Sequence, residues 1–296
     1  PCCAPRWYSV PGVGNRTPPP FFNLINSFNI FKNYYELGMN YFQRIKSKLD
    51  KDGLELVISY YLKKIGYKTK YLSFAEKKKA LLSKKIYEIT KGKIVFGLYT
   101  GTKFKYHVNC SNKLTGQYEQ QVQQEIYRIK KKYNLNFLIN FGAGEGFHTI
   151  GPIKKRWFKK ALAFENDINE IKMLSENIKI NKCANKIKIL HDANFDDVKK
   201  IFNMKELKKT LFLVDIEGSE FNLFNAKNIQ NFKNSFLIIE CHDFYIKDKK
   251  VVNNFYKLLK KNFKTNIIYS SSRNPFLIKE LDNLSEHEKW LSVVES

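Results

Sequence analysis

Proline is almost absent from this 296-residue chain after its first twenty positions: six of the eight prolines lie in residues 1–20, and only Pro152 and Pro275 follow. Arginine is scarce as well, with 6 residues against 46 lysines. No run of about 18 apolar residues occurs, which excludes a membrane-spanning helix, and the first twenty residues lack the apolar stretch of a secretory signal. The five cysteines (Cys2, Cys3, Cys110, Cys183 and Cys241) form no CxxC pair and show no His spacing of a zinc site. Their odd number argues against a disulfide framework. These absences point to a reducing compartment, and the expected location is the cytoplasm.

What is present is enough for a core: 43% of residues are hydrophobic and 15% aromatic. The formal net charge of +24 would ordinarily suggest a phosphate-rich partner. Here it comes from lysine alongside 29 asparagines, a compositional drift rather than a built binding face, for which the planar Arg fork is favoured. Residues 1–20 contain no lysine and read as a disordered or artefactual leader, set aside from fold reasoning. Over residues 21–49, Phe21, Leu24, Ile25, Phe28, Phe31, Tyr35, Phe42, Ile45 and Leu49 keep a spacing of three to four, predicting an amphipathic helix. Contact with a membrane surface is one reading of that face, and packing on the rest of the protein is the favoured one. Further helices are expected over 54–65 and 74–89, and a hairpin over 94–99 and 103–108. Residues 21–116 are thus expected to form a helical and hairpin cap, with the main domain over 117–296.

Beyond Gly116 a helical pattern over 118–132 is followed by short apolar runs at 137–141, 161–164, 187–190, 211–216, 236–239 and 267–269, separated by helix-length segments. This alternation predicts an α/β fold with a doubly wound parallel sheet, whose ligand lies beyond the carboxyl ends of the strands. Asp167 and Glu170 read as a capping box, and Ile168, Ile171, Leu174 and Ile178 as the buried face of the helix it opens. The first strand runs into Asn140-Phe141-Gly142-Ala143-Gly144-Glu145-Gly146, where alternate glycines would let the backbone turn tightly and present N–H groups at a helix N-terminus. A nicotinamide or flavin site calls for G-x-G-x-x-G, but Phe147 holds the third glycine's place, so an NAD(P)-dependent oxidoreductase is the runner-up. Glu165 closes the second strand nineteen residues after Gly146, where it would accept hydrogen bonds from both ribose hydroxyls. Asp192, after the third strand, would reach an adenine amino group.

With Phe137–Gly146, Ala163-Phe164-Glu165, Asp215-Ile216-Glu217-Gly218-Ser219-Glu220 and Ile238-Ile239-Glu240-Cys241-His242 in view, residues 117–245 resemble the FkbM-type family of S-adenosylmethionine-dependent methyltransferases. The resemblance implies a class I, Rossmann-like sheet of seven strands with the last antiparallel, and methyl transfer to a hydroxyl of a sugar, glycan or secondary metabolite. It places Gly142, Ala143, Gly144 and Gly146 at the methionine part of the cofactor and Glu165 at the ribose, with Asp215 and Glu217 beside the methyl group. Asn140 stands where such enzymes commonly carry an acidic residue, and it can still hydrogen-bond the cofactor. Pro152 falls inside the expected first helix, where it removes a hydrogen bond or delays the start, and His148 reads as a packing residue.

Methyl transfer from a sulfonium is an in-line displacement, helped by holding the acceptor oxygen against the methyl carbon in a water-poor site. A base removes the hydroxyl proton. Glu217, Glu240, His242 and Asp243 are the candidates, and His242 has the most suitable pKa. The competing reading has Glu217 and Glu240 stabilising loops or binding a cation, with His242 capping its strand. No metal site is read from the sequence, because Glu240, His242 and Asp243 lie too close together to ligate without a partner from another loop. Specific nucleic-acid modification is not expected: the Pro-Pro-aromatic loop of amino-methylating enzymes is missing, no proline occurring between Ile153 and Asn274. A non-catalytic nucleoside-binding scaffold remains a third reading.

Overall fold

The computed structural model describes residues 6–8, 74–269 and 272–294. The chain divides into two compact units, one of Val13–Leu82 and one of Pro1–Gly12 with Ser83–Ser296. The helices expected over 21–49 and 54–65 lie outside the described residues.

In chain order the elements are β1 (Arg6–Tyr8), α1 (Phe74–Thr90), α2 (Ser111–Leu114), α3 (Gln120–Tyr133), β2 (Phe137–Phe141), α4 (Phe147–Lys154), β3 (Lys160–Phe164) and α5 (Ile168–Ile180). There follow β4 (Ile187–Leu190), α6 (Phe195–Ile201), α7 (Met204–Leu207), β5 (Thr210–Val214), α8 (Glu220–Leu223), β6 (Phe236–Cys241), α9 (Lys249–Asn262) and α10 (Glu286–Val293). Strands β2 to β6 are parallel and lie in the order β6-β5-β2-β3-β4. The apolar runs explain the arrangement. β5 is buried at every position, as a strand covered on both faces must be, and Phe141, Phe164, Phe212 and Val214 join Phe232 and Phe255 in one core. Because β2 and β5 are neighbours, the chain leaves the sheet to either side between them, and their carboxyl ends open a crevice there.

The seventh strand implied by the family resemblance is not found among the described residues. The run at 267–269 contributes a single bridge residue, Ile268. An antiparallel strand is present, but it is β1, from the segment set aside as a leader: Arg6 pairs with Cys241 and Tyr8 with Ile239. Edge pairing needs only backbone donors and acceptors, so a three-residue strand carries no periodicity by which to foresee it.

The expected hairpin over 94–108 is a compact loop instead. One bridge joins Lys93 to Lys103, and Gly101 N–H returns to the Ile94 carbonyl at 2.7 Å. Cross-pairing is short: Ile94 N–H donates to the Thr102 carbonyl and Phe104 N–H to the Gly92 carbonyl, both at 2.8 Å, while the alternate donors, Lys103 N–H and Lys105 N–H, go to Asn181 Oδ1 at 3.0 Å and Asn177 Oδ1 at 2.8 Å and seat the segment against the end of α5. In α5 itself Leu174 and Ile178 are buried as expected, whereas Ile168 is 77% exposed. It belongs to the first turn. Asp167 caps α5 by accepting from the Asn169 and Glu170 N–H groups, but the capping box is not closed, since Glu165 Oε1 takes the Asp167 N–H at 2.9 Å. Helix α4 starts directly at Phe147, with no delay from Pro152, and is short, ending two residues after it.

Candidate functional site

β2 ends at Phe141, and the chain turns at Gly142 with φ +80°. A Cβ there would lie 1.6 Å from the Asp215 carbonyl oxygen, while Asp215 N–H donates to the Phe141 carbonyl at 2.9 Å. The two loops at the switch point therefore approach as closely as backbones can, which only glycine permits. Gly144 lines the crevice, and a Cβ there would meet nothing nearer than Glu170 Oε2 at 3.9 Å. Gly146 does not border the crevice. Its φ is +96°, and a Cβ would strike Leu174 Cδ1 at 2.5 Å, so this glycine lets α4 pack on α5 rather than approach a ligand. The loop's N–H groups are also engaged within the protein. Those of Gly142 and Ala143 donate to the Phe164 carbonyl, and that of Gly144 donates to Glu165 Oε2 at 2.7 Å. What the loop offers a ligand is open surface.

The crevice encloses about 950 Å³ and is bordered by Gly142, Gly144, Glu165, Asp192, Asp215 and Glu217. That volume falls within the range of about 300–1,000 Å³ of small-molecule sites. Glu165 Oε1 accepts the N–H groups of Asn166 and Asp167, and Oε2 accepts that of Gly144. With about four acceptor positions on a carboxylate, this geometry leaves one for a ligand hydroxyl, not the two that the spacing suggested. Asp192 is exposed at the rim beyond β4. A recess of about 80 Å³ continues past the glycine loop and is bordered by Tyr118, Asn140, Ala143 and His148. Asn140 is buried; its amide donates to Thr149 Oγ1 at 2.9 Å and its Oδ1, also buried, has no hydrogen-bond partner. His148 packs as expected, edge to face against Phe147 and 2.8 Å from Glu119 Oε2.

At the other end of the crevice, the loops after β5 and β6 bring together Asp215, Glu217, Glu220, Glu240 and His242. Glu220 is fully buried and accepts from Ile216 N at 2.9 Å, Gly218 N at 3.0 Å and His242 Nδ1 at 3.0 Å. Those contacts hold the loop in a shape that puts Glu217 at φ +51° and leaves its carboxylate 76% exposed. The Nδ1 bond turns His242 Nε2 toward Asp215 Oδ1 at 3.8 Å and Glu217 Oε2 at 3.6 Å. Tyr245 stacks parallel to the imidazole. Crowding of carboxyls shifts their proton affinities. Glu240, buried beside Asp215 and Glu119, is pushed up to about 10, and Asp215, desolvated and facing Glu119, to about 7. For His242, burial favours the neutral ring, but the Glu220 hydrogen bond and charge outweigh it and raise its pKa.

Three of the four base candidates thus share one site. Glu240 in this setting holds its proton at neutral pH and is not a base. Asp243 is drawn away, accepting from the Tyr256 hydroxyl at 3.3 Å. Sequence reasoning assigned no role to Glu220, although it closes the quoted Asp-Ile-Glu-Gly-x-Glu run. Glu119 and Lys113 went unnoticed, because each acts across space. Lys113 pairs with buried Glu145, and with His107 3.4 Å away it holds that carboxylate below the usual range despite its burial.

No protein-family model matches the chain, and no curated protein does. Parts of it resemble solved structures whose descriptions include methyltransferases. A candidate O-methyltransferase from Klebsiella pneumoniae matches over 69% of this chain and 84% of its own, at 11% identity and a TM-score of 0.37. Precorrin-6y C5,15-methyltransferase from Geobacter metallireducens matches over 49% and 71%, at 10% identity and 0.33. The structure of aTrm5 with tRNALeu matches over 38% of this chain at 26% identity and 0.27, and the chain spans 30% of aTrm5's length. Likenesses at these TM-scores carry no argument about function. No described helix is long and apolar enough to cross a membrane.

Proposed function

We propose that the chain is an S-adenosylmethionine-dependent O-methyltransferase of the FkbM type, acting on a hydroxyl of a sugar, glycan or secondary metabolite in the cytoplasm. The observation that supports it best is the crevice at the β2–β5 switch point, which runs from the Glu165 carboxylate past the side-chain-free Gly142 and Gly144 to a cluster of acid–base groups. When bound, S-adenosylmethionine supplies an electrophilic methyl group on a sulfonium. The free acceptor position of Glu165 would hold one ribose hydroxyl, Asp192 would face the adenine amino group, and the orphaned Oδ1 of Asn140 would accept from the cofactor's amine. His242 stands at the acceptor end with its tautomer set by Glu220, so that Nε2 can take up the hydroxyl proton. Glu217 lies beside it, exposed, where it would attract that proton once released. Phe244 and Tyr245, half exposed and in contact with each other, offer ring faces to the acceptor.

Calorimetric titration with S-adenosylmethionine, S-adenosylhomocysteine and NAD tests the reading. The two sulfur ligands are expected to bind, and Glu165→Ala is expected to weaken both by more than tenfold, the loss of a charge-assisted hydrogen bond of about 1.5–3 kcal/mol. Binding of NAD alone, or of none of the three, would overturn it.

A further inference from the structure

We propose that Asp215, Glu240 and His242 form a binding site for one divalent cation of the Mn²⁺-to-Zn²⁺ series at the acceptor end of the crevice. The sequence showed Glu240 and His242 two residues apart and lacked a ligand from a second loop. The fold supplies that ligand: Asp215, from the end of the adjacent strand β5, brings one oxygen so that the three donor atoms lie within 4.8 Å of one another. Donors around an ion at about 2.1 Å sit roughly 3–4 Å apart, so small side-chain adjustments close the set.

Three independent features indicate that this cluster is built to be bridged. First, His242 is oriented as metal-ligating histidines are, with its Nδ1 hydrogen bonded to the buried Glu220 carboxylate, which leaves the Nε2 lone pair facing the cluster. Nothing hydrogen-bonds that nitrogen among the described residues: the Asp215 and Glu217 oxygens lie 3.8 and 3.6 Å away, too far for a hydrogen bond. Second, the Asp215 Oδ1 that faces Nε2 is itself a buried acceptor with no hydrogen-bond partner. Third, in a chain of net charge +24, no Lys or Arg forms an ion pair with Asp215, Glu217, Glu220 or Glu240 among the described residues. Buried carboxylates are normally paired or coordinate a metal, and among the described residues the one group beside Asp215 that can carry positive charge is the His242 imidazole. Two carboxylates and an imidazole make a mixed oxygen and nitrogen set. It suits the Mn²⁺-to-Zn²⁺ series better than Mg²⁺ or Ca²⁺, which take oxygen alone. Of the three ligands Asp215 borders the crevice, while Glu240 and His242 lie buried behind it.

Cation binding stands on this geometry alone; its part in catalysis rests on the methyltransferase reading. There the cation would take the acceptor's oxygen as a further ligand and lower the pKa of that hydroxyl, its proton passing to water beside the exposed Glu217. His242 Nε2 then ligates rather than accepting the proton.

The test is titration of the metal-stripped full chain with MnCl2, following free Mn²⁺ by electron paramagnetic resonance and heat by calorimetry. One equivalent is expected to bind saturably. Glu240→Gln and His242→Ala, each confirmed as folded by circular dichroism, should weaken binding at least tenfold, and Glu220→Gln, likewise confirmed as folded and removing no ligand, about 10–100-fold. Co²⁺ in place of Mn²⁺ should give visible d–d bands that change in His242→Ala. Absence of saturable binding by the wild-type chain, or equal Mn²⁺ affinity in folded Glu240→Gln, would overturn the site. Parallel titration with S-adenosylhomocysteine separates the two proposals: a chain that binds this ligand but fails to bind Mn²⁺ sinks the cation site alone, and one that binds Mn²⁺ but fails to bind the ligand sinks the methyltransferase reading alone.

Discussion

A Cβ on residue 142 would stand 1.6 Å from the Asp215 carbonyl oxygen, with the backbone at φ +80°, and neither problem can be relieved by a side-chain rotation. Gly142→Ala is therefore expected to cost about 3 kcal/mol through backbone displacement and left-handed strain, seen as a fall of roughly 6–12 °C in the midpoint of thermal unfolding. An unchanged midpoint would mean that the loops after β2 and β5 do not meet as described. Gly142, Gly144 and Gly146 were equally visible in the sequence as a motif, yet they do different things. Gly142 admits a neighbouring backbone, Gly144 leaves open space, and Gly146 admits Leu174. The difference depends on which atoms face each missing side chain, and residue spacing does not encode that. Glu165 was likewise legible as the carboxylate after the second strand. That it spends three of its acceptor positions on Gly144, Asn166 and Asp167 was not.

The loop that leaves β5 and enters α8 owes its shape to Glu220. Its fully buried carboxylate satisfies the part-buried N–H groups of Ile216 and Gly218 and fixes the His242 ring. Glu220→Ala would leave these donors without an acceptor and is expected to lower stability by about 2–4 kcal/mol in denaturant unfolding. A loss below about 0.5 kcal/mol would show that the loop holds itself without this carboxylate. Among the elements, the apolar runs of strands β2, β3, β5 and β6 were legible because most of their positions are buried, and so was the helical pattern of α3. The segment over 94–108 misled because its apolar alternation suits a strand, while Asn177 and Asn181, far off in sequence, take up its alternate backbone donors in place of a neighbouring strand. A three-residue edge strand such as β1 lies below what pattern reading can detect.

Across the whole molecule, a chain with a surplus of lysine gathers acidic groups at one site, and the pH dependence of folding should register the contrast. Glu240 and Asp215 hold protons up to about 10 and about 7 in the folded chain, against 4.5 and 3.8 for the free side chains. The folded state then binds more protons than the unfolded state between those values, so stability present at low pH is lost as pH rises. His242, with its raised pKa, contributes in the same sense, its part fading as pH climbs through that pKa. Glu145, held below its ordinary range, acts oppositely and only toward acid. The metal-stripped protein is therefore expected to lose thermal stability from about pH 5 toward about pH 10, and Glu240→Gln, which cannot ionise, should flatten the slope. A rising or unchanged midpoint over that window would contradict the environment described for the cluster.

The positions of the buried strands along the chain, the place of the glycine turn and the acidic residues at strand ends were determined by the sequence alone. Burial imposes an apolar period and tight turns demand particular residues, and both are local rules. The tertiary structure decided which carboxyls face one another. Asp215 and His242 lie on different strands, and only the pairing of β5 with β6 and the contacts of Glu220 bring their donor atoms to one point.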